Sequence, residues 1–247
     1  MPVRTRHEPA DRCLSPSWTR LLCGLIVLAA LSVGFAHTSR AHSLDDIDAM
    51  LQSDEKYFQP IDKPMPDFTL RGAEGRIVRP ADLAGKVVVL HFIYTSCPDV
   101  CPLHAEKVAE VQKMVNSTPM KDRVVFISIT TDPRKDTPDV LKGYGPMHGL
   151  DPVNWRFLTT ALDQPEDTTR KLAEAFGHKF TLTDDGYQMH GIVTHVIDRE
   201  GRWRANFHGL NFQPINLVTF VNALTNNVER PHHEPDEGWL AKLKNFL

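Results

Sequence analysis

Val87-Val88-Val89-Leu90-His91-Phe92-Ile93-Tyr94-Thr95-Ser96-Cys97-Pro98-Asp99-Val100-Cys101-Pro102 is the stretch on which the fold turns. Its first nine residues form a β-branched and aromatic run, the pattern of a buried central strand. Two thiols then stand four residues apart in a turn flanked by Pro98 and Pro102, and Leu103 to Val115 has the apolar spacing of a helix. Strand, turn and helix make the first half of a βαβ unit, and open α/β sheets place ligands beyond the carboxyl ends of their strands. Proline is tolerated at the first helical position, so the predicted helix starts near Pro102. Cys101 is then expected at or beside the N-cap, where the helix dipole and free N–H groups favour a thiolate.

The chain has 247 residues, enough for one domain with extensions or two small ones. Its 41% hydrophobic and 24% charged content is that of a globular protein rather than a disordered one. Residues 1–41 hold five basic and two acidic residues, so the remainder carries 23 basic against 29 acidic, a net of −6. That balance argues against nucleic acid as a partner, which requires a basic face. Leu21 to Ala36 is apolar and uncharged, at the short edge for a membrane span and the long edge for a signal-peptide core. Residues 1–41 are therefore read as a basic leader plus a signal or anchor segment, with small residues around a cut after Ala41. The remainder is expected in the periplasm or anchored to the outer face of the cytoplasmic membrane. Cys13 and Cys23 fall in the leader, which leaves Cys97 and Cys101 as a working pair and not a disulfide framework.

Residues 42–60 read as a linker with a short amphipathic helix (Leu44, Ile47, Met50, Leu51). The main domain is expected over 61–225. It opens with a hairpin of Pro64–Leu70 and Arg76–Val78, joined through Gly72 and Gly75. Val124–Thr130 is a second strand, nearly continuously apolar, as in a parallel sheet covered on both faces. Thr137-Pro138 reads as N-cap and first turn of a helix to about His148. A strand at Trp155–Thr160 and a helix over 164–176 come next. His190–Asp198 and Trp203–Phe207 pair antiparallel around Glu200-Gly201, and a helix spans Pro214–Thr225. Residues 226–247 form a polar tail with His232-His233, whose end from Trp239 reads as a docking helix or a frayed terminus. This order predicts an α/β, thioredoxin-like fold, a central mixed sheet flanked by helices, with an N-terminal β-hairpin extension.

Three chemistries use two thiols on such a turn. A dithiol oxidoreductase spaces them C-x-x-C, one residue closer than here, and thioredoxin-like ones place a cis-proline opposite the motif. The stretch Gln188-Met189-His190-Gly191-Ile192-Val193 carries a histidine there instead. Two thiolates and an imidazole make a soft three-ligand set that suits Cu(I), and the same atoms accept Cu(II) with one further ligand. A peroxidase, with one peroxidatic and one resolving thiol, is the third.

The segment from Phe92 to Pro102 resembles the signature of the SCO/SenC family of copper chaperones for cytochrome c oxidase. Asp132-Pro133-Arg134-Lys135-Asp136-Thr137-Pro138 is similar to that family's D-P-x-x-D-T-P loop, and Trp155-Arg156-Phe157-Leu158-Thr159 to its W-x-F-L-T strand. The family's metal histidine lies eleven residues before a turn glycine, as His190 does before Gly201. The resemblance covers about residues 60–225. It implies a thioredoxin-like domain, exported or membrane-tethered, with copper held by Cys97, Cys101 and His190 and an oxidase subunit or another copper-transfer protein as partner. Two departures flank His190: Met189 replaces an acid that would orient the ring, and Gly191 replaces a hydroxyl residue. The alternative is a thiol–disulfide oxidoreductase that keeps a copper protein's cysteines reduced, which needs Cys97 and Cys101 but not His190.

The other candidates each have a plainer reading. His195, an odd number of positions from His190, is expected on the opposite face as a core residue. His91 is expected buried and hydrogen-bonded, with an outer-sphere role as the alternative. His104 is read as a solvated helix residue, or else a stand-in ligand, and Met189 as a packed or exposed residue, or else a thioether ligand. His232-His233 is read as a solvated pair, or else a weak metal scavenger. Asp99 caps the turn or biases the thiols. Asp132 and Asp136 shape the loop or form a contact surface.

Overall fold

The computed structural model describes residues 43–182, 188–189 and 191–226, with backbone alone at 182, 188 and 189. Residues 1–42, where a leader is expected, His190, and the tail beyond 226 with His232-His233 lie outside the described residues.

In chain order the elements are α1 (Leu44–Asp54), β1 (Phe58–Pro64), β2 (Leu70–Gly72), β3 (Ile77–Val78), β4 (Val87–Ile93), α2 (Val100–Asn116), β5 (Val124–Thr130), α3 (Pro138–Met147), β6 (Trp155–Thr159), α4 (Thr168–Ala175), β7 (Thr181–Leu182), β8 (Gln188–Met189), β9 (Val193–Ile197), β10 (Arg202–His208) and α5 (Pro214–Thr225). Eight strands form one mixed sheet in the order β1-β10-β9-β4-β5-β6-β2-β3. β4, β5 and β6 run parallel, in the register Leu90 to Ile127 to Arg156, and β9 lies antiparallel against β4. β7 and β8 pair separately.

β4 is apolar along its length because both of its faces are covered. Val87, Val89 and Ile93 pack under α1, α2, α3 and α5, while Val88, Leu90 and Phe92 pack with Leu172, Ala173, Phe176 and Trp203. Burying each such side chain stabilises the fold by about 1.5–3 kcal/mol, so a strand sandwiched in this way has no use for alternation. A hairpin is present as β2 and β3, turned through Gly75 at φ 91° and joined to β6, but its first arm is Leu70–Gly72 and not Pro64–Leu70, because Pro64 ends the edge strand β1.

Of the expected linker 42–60, the described residues from Ser43 onward belong to the packed body. Ser43 closes a capping box with Asp46 at the start of α1, and Leu44 and Leu51 are fully buried against the core. β1 pairs with β10 from Phe58 onward. Proline at 60 and 64 hid this strand, because proline is confined to sheet edges, and β1 is an edge.

Candidate metal and thiol centre

β4 ends at Ile93 and α2 starts at Val100, so the turn between them is set by what holds its two ends. Thr131 N–H donates to the Ile93 carbonyl at 2.8 Å, and Cys97 N–H to the Tyr94 carbonyl at 3.1 Å. The deeper anchor is Asp136, fully buried beneath the turn. Its carboxylate accepts from Thr95 N–H at 3.0 Å, from the Thr130 hydroxyl at 2.5 Å and from the Thr95 hydroxyl. One side chain thus ties the ends of β4 and β5 together just before the thiols. Burial pushes the Asp136 carboxyl above its usual range, while the Thr130 and Thr95 donors oppose the shift.

Cys97 and Cys101 are both buried and reduced, clustered with Tyr94 and Val100. The Cys101 N–H donates to Cys97 Sγ at 3.4 Å. α2 begins at Val100, two residues before the proline-based start at Pro102, which puts Cys101 inside the first turn and makes Asp99 the N-cap residue. Asp99 makes no side-chain cap bond. The acidities run against the expected order. Burial raises the Cys97 thiol, but N–H groups of Asp99 and Cys101, together with bonds from the Cys101 and Tyr94 side chains, outweigh it and leave the thiol below its ordinary 9.0. Burial pushes Cys101 well up, with Cys97 and Asp136 adding to it. The favoured thiolate is therefore Cys97, which sits just before the helix, where free N–H groups converge on its sulfur.

The histidines divide by face. His104 is buried, not solvated: its Nε2 lies 2.8 Å from the Thr194 hydroxyl and its ring lies 4.7 Å from that of His91. His91 is buried as expected, with Nε2 3.2 Å from the Ser128 hydroxyl, which also receives the Trp155 indole N–H at 3.0 Å. On the other face His195 is fully buried among Phe92, Phe176 and Trp203, bonded to His178 and Asn206. His178 went unread in the sequence, since no motif marks it. Tyr144 on α3 was also missed: its hydroxyl is buried, and burial followed by the charges of Cys101 and Cys97 pushes the phenol up. Asp132 lies at the loop surface, its N–H on the Thr130 hydroxyl at 2.9 Å. Among the described residues no three His, Cys, Asp or Glu side chains gather as a metal site, and no helix is long and apolar enough to cross a membrane.

The family model described as SCO1/SenC matches residues 59–226, more than half of the chain. The chain belongs to the SCO1/SenC family. Among its SCO relatives, a SCO2-like protein of Rickettsia conorii is 28% identical over 201 residues, covering 80% of this chain and 94% of the relative. A SCO1/SenC family lipoprotein from Bacillus anthracis superposes with a TM-score of 0.61 at 27% identity, covering 67% of this chain and 97% of that one. Bradyrhizobium japonicum ScoI, solved with copper bound, superposes at a TM-score of 0.54 and 27% identity, over 65% of this chain and 99% of that one. The fold is thioredoxin-like, as the order of elements predicts.

Proposed function

We propose that this chain is a metallochaperone that carries copper as cargo on Cys97, Cys101 and His190 and hands it to the copper centre of a cytochrome c oxidase. The observation that carries the reading is the thiol pair: two buried, reduced sulfurs share one turn, and the Cys101 N–H points at Cys97 Sγ. Soft sulfur donors beside an imidazole select copper, and the copper-bound ScoI relative is an instance of that cargo. The acceptor follows from the family resemblance. Transfer is ligand exchange: a partner's soft donors replace the chaperone's one at a time, with no covalent turnover. Binding must expel the Cys101 proton, which burial holds tightly, so affinity falls as pH falls.

Residues 1–41 serve in this reading as an export leader or anchor, placing the body outside the cytoplasm, and the lipoprotein relative is consistent with such a placement. The experiment is anaerobic titration of the reduced full chain with Cu(I), beside His190→Ala and Cys97→Ser. One equivalent bound tightly and weakened in both variants supports the three-ligand site; an affinity unchanged in His190→Ala refutes it.

The unequal thiols favour a second reading. A thiol held below its ordinary pKa next to one held above it suits an attacking and a resolving cysteine in thiol–disulfide exchange. Loss of exchange in Cys97→Ser with indifference to His190→Ala would mark the dithiol as the function.

A further inference from the structure

Tyr94 is the first residue beyond β4, and each of its polar groups is engaged in the thiol turn. Its carbonyl accepts from Cys97 N–H at 3.1 Å. Its N–H donates to the Cys101 sulfur, and its phenol O–H donates to the Cys97 sulfur. The side chain is buried, 6% exposed, and packs with the two cysteines in a cluster apart from the main core. A buried phenol needs a partner for its hydroxyl, and here that partner is sulfur.

Once both thiols have lost their protons, Cys97 Sγ keeps the N–H groups of Asp99 and Cys101 and the Tyr94 phenol as donors. The two N–H groups come with the turn, whatever side chains it carries. The phenol is set by one side chain, and phenylalanine would fill the same volume without the bond. A hydrogen bond draws electron density from a thiolate, which then donates less to a bound metal. Cu(II), one electron short of a filled d shell, draws on sulfur donation more than filled-shell Cu(I) does. Donors around a cysteine sulfur therefore favour the reduced ion. Both ions must expel the same sulfur protons, so that cost cancels when the two are compared.

We propose that Tyr94 is a positioning residue for the Cys97 sulfur that selects the valence of the cargo: its O–H···Sγ bond biases the thiol pair toward Cu(I) over Cu(II). The inference rests on the copper reading above. Its test compares the reduced full chain with Tyr94→Phe under anaerobic conditions. The control is Tyr144→Phe, at a second buried phenol whose hydroxyl bonds nothing among the described residues. Affinities for Cu(I) and Cu(II) are read separately by chelator competition, and the sulfur-to-Cu(II) charge-transfer band by absorption. Tyr94→Phe should raise Cu(II) affinity relative to Cu(I) about ten-fold, which is about 59 mV in the one-electron potential. Its charge-transfer band should move to lower energy, and Tyr144→Phe should change neither quantity. An unchanged affinity ratio in Tyr94→Phe, or equal loss of both valences, overturns the inference and leaves the copper reading standing. A wild-type chain that binds neither ion removes the copper reading and the inference with it. Should the thiols reduce Cu(II), Co(II), which leaves them intact, gives the same readout. Its sulfur-to-metal band should move to lower energy in Tyr94→Phe alone, and an unmoved band refutes the bond's role.

Discussion

Cys97 and Cys101 share one turn of chain yet hold their protons differently, because one sulfur faces a fan of N–H groups and the other faces the core. Limited alkylation at pH 8 should therefore label Cys97 first, mapped by mass spectrometry; preferential labelling of Cys101 would contradict the assignment. His195 makes a second prediction. Burial, with His178 next, holds its pKa well below the ordinary 6.5. The unfolded chain takes up a proton near pH 6.5 that the folded chain refuses, so stability is complete above that pH and falls below it. The slope from this one group approaches about 1.4 kcal/mol per pH unit. Urea unfolding at pH 7.5, 6.0 and 5.0 should show that decline, flattened in His195→Phe. The thiol pair was plain in the sequence because its spacing is local. His104 was misread, and the burial of the loop-shaping Asp136 went unread, because burial depends on partners 90 and 41 residues away, Thr194 and Thr95, which no local pattern announces.

Among elements, β4, β5, β6, α3 and α5 were legible almost to the residue, since apolar runs and Thr-Pro or Pro starts mark them. α1 was legible as a helix but not as part of the core, because amphipathic spacing shows a face without showing what covers it. Its contribution is open to measurement. Leu51→Ala, at a fully buried site, should cost about 2–5 kcal/mol of unfolding free energy, and Ser43→Ala, which removes the cap, about 1 kcal/mol. Denaturant midpoints at constant slope check both; a neutral Leu51→Ala would detach α1 from the cooperative unit. The loop after β5 acts on the thiol turn through Asp136 alone among its acids. Asp136→Ala should lower stability by about 2–4 kcal/mol, by stranding the Thr95 and Thr130 donors, and should speed Cys97 and Cys101 alkylation together.

For the whole molecule, cargo and stability are linked. If copper binds only the folded chain, a free concentration one hundred times the Kd should add about 2.7 kcal/mol, and the gain should shrink as protons compete for the sulfurs. Calorimetry with and without Cu(I) at pH 7.5 and 5.5 reads both effects. The sheet's two borders have a separate consequence. On one side β1 combines Pro60, Lys63, Pro64 and an irregular register between Pro60 and Lys63; on the other, β3 is two residues long. Short, kinked, proline-bearing and charged borders are poor templates for another chain's backbone. Both borders of the eight-stranded sheet are thus poor sites for strand addition, whether by a client, a second copy or a growing fibril. A copper acceptor of the proposed kind would then be met by side chains around the sulfurs and not by paired backbone.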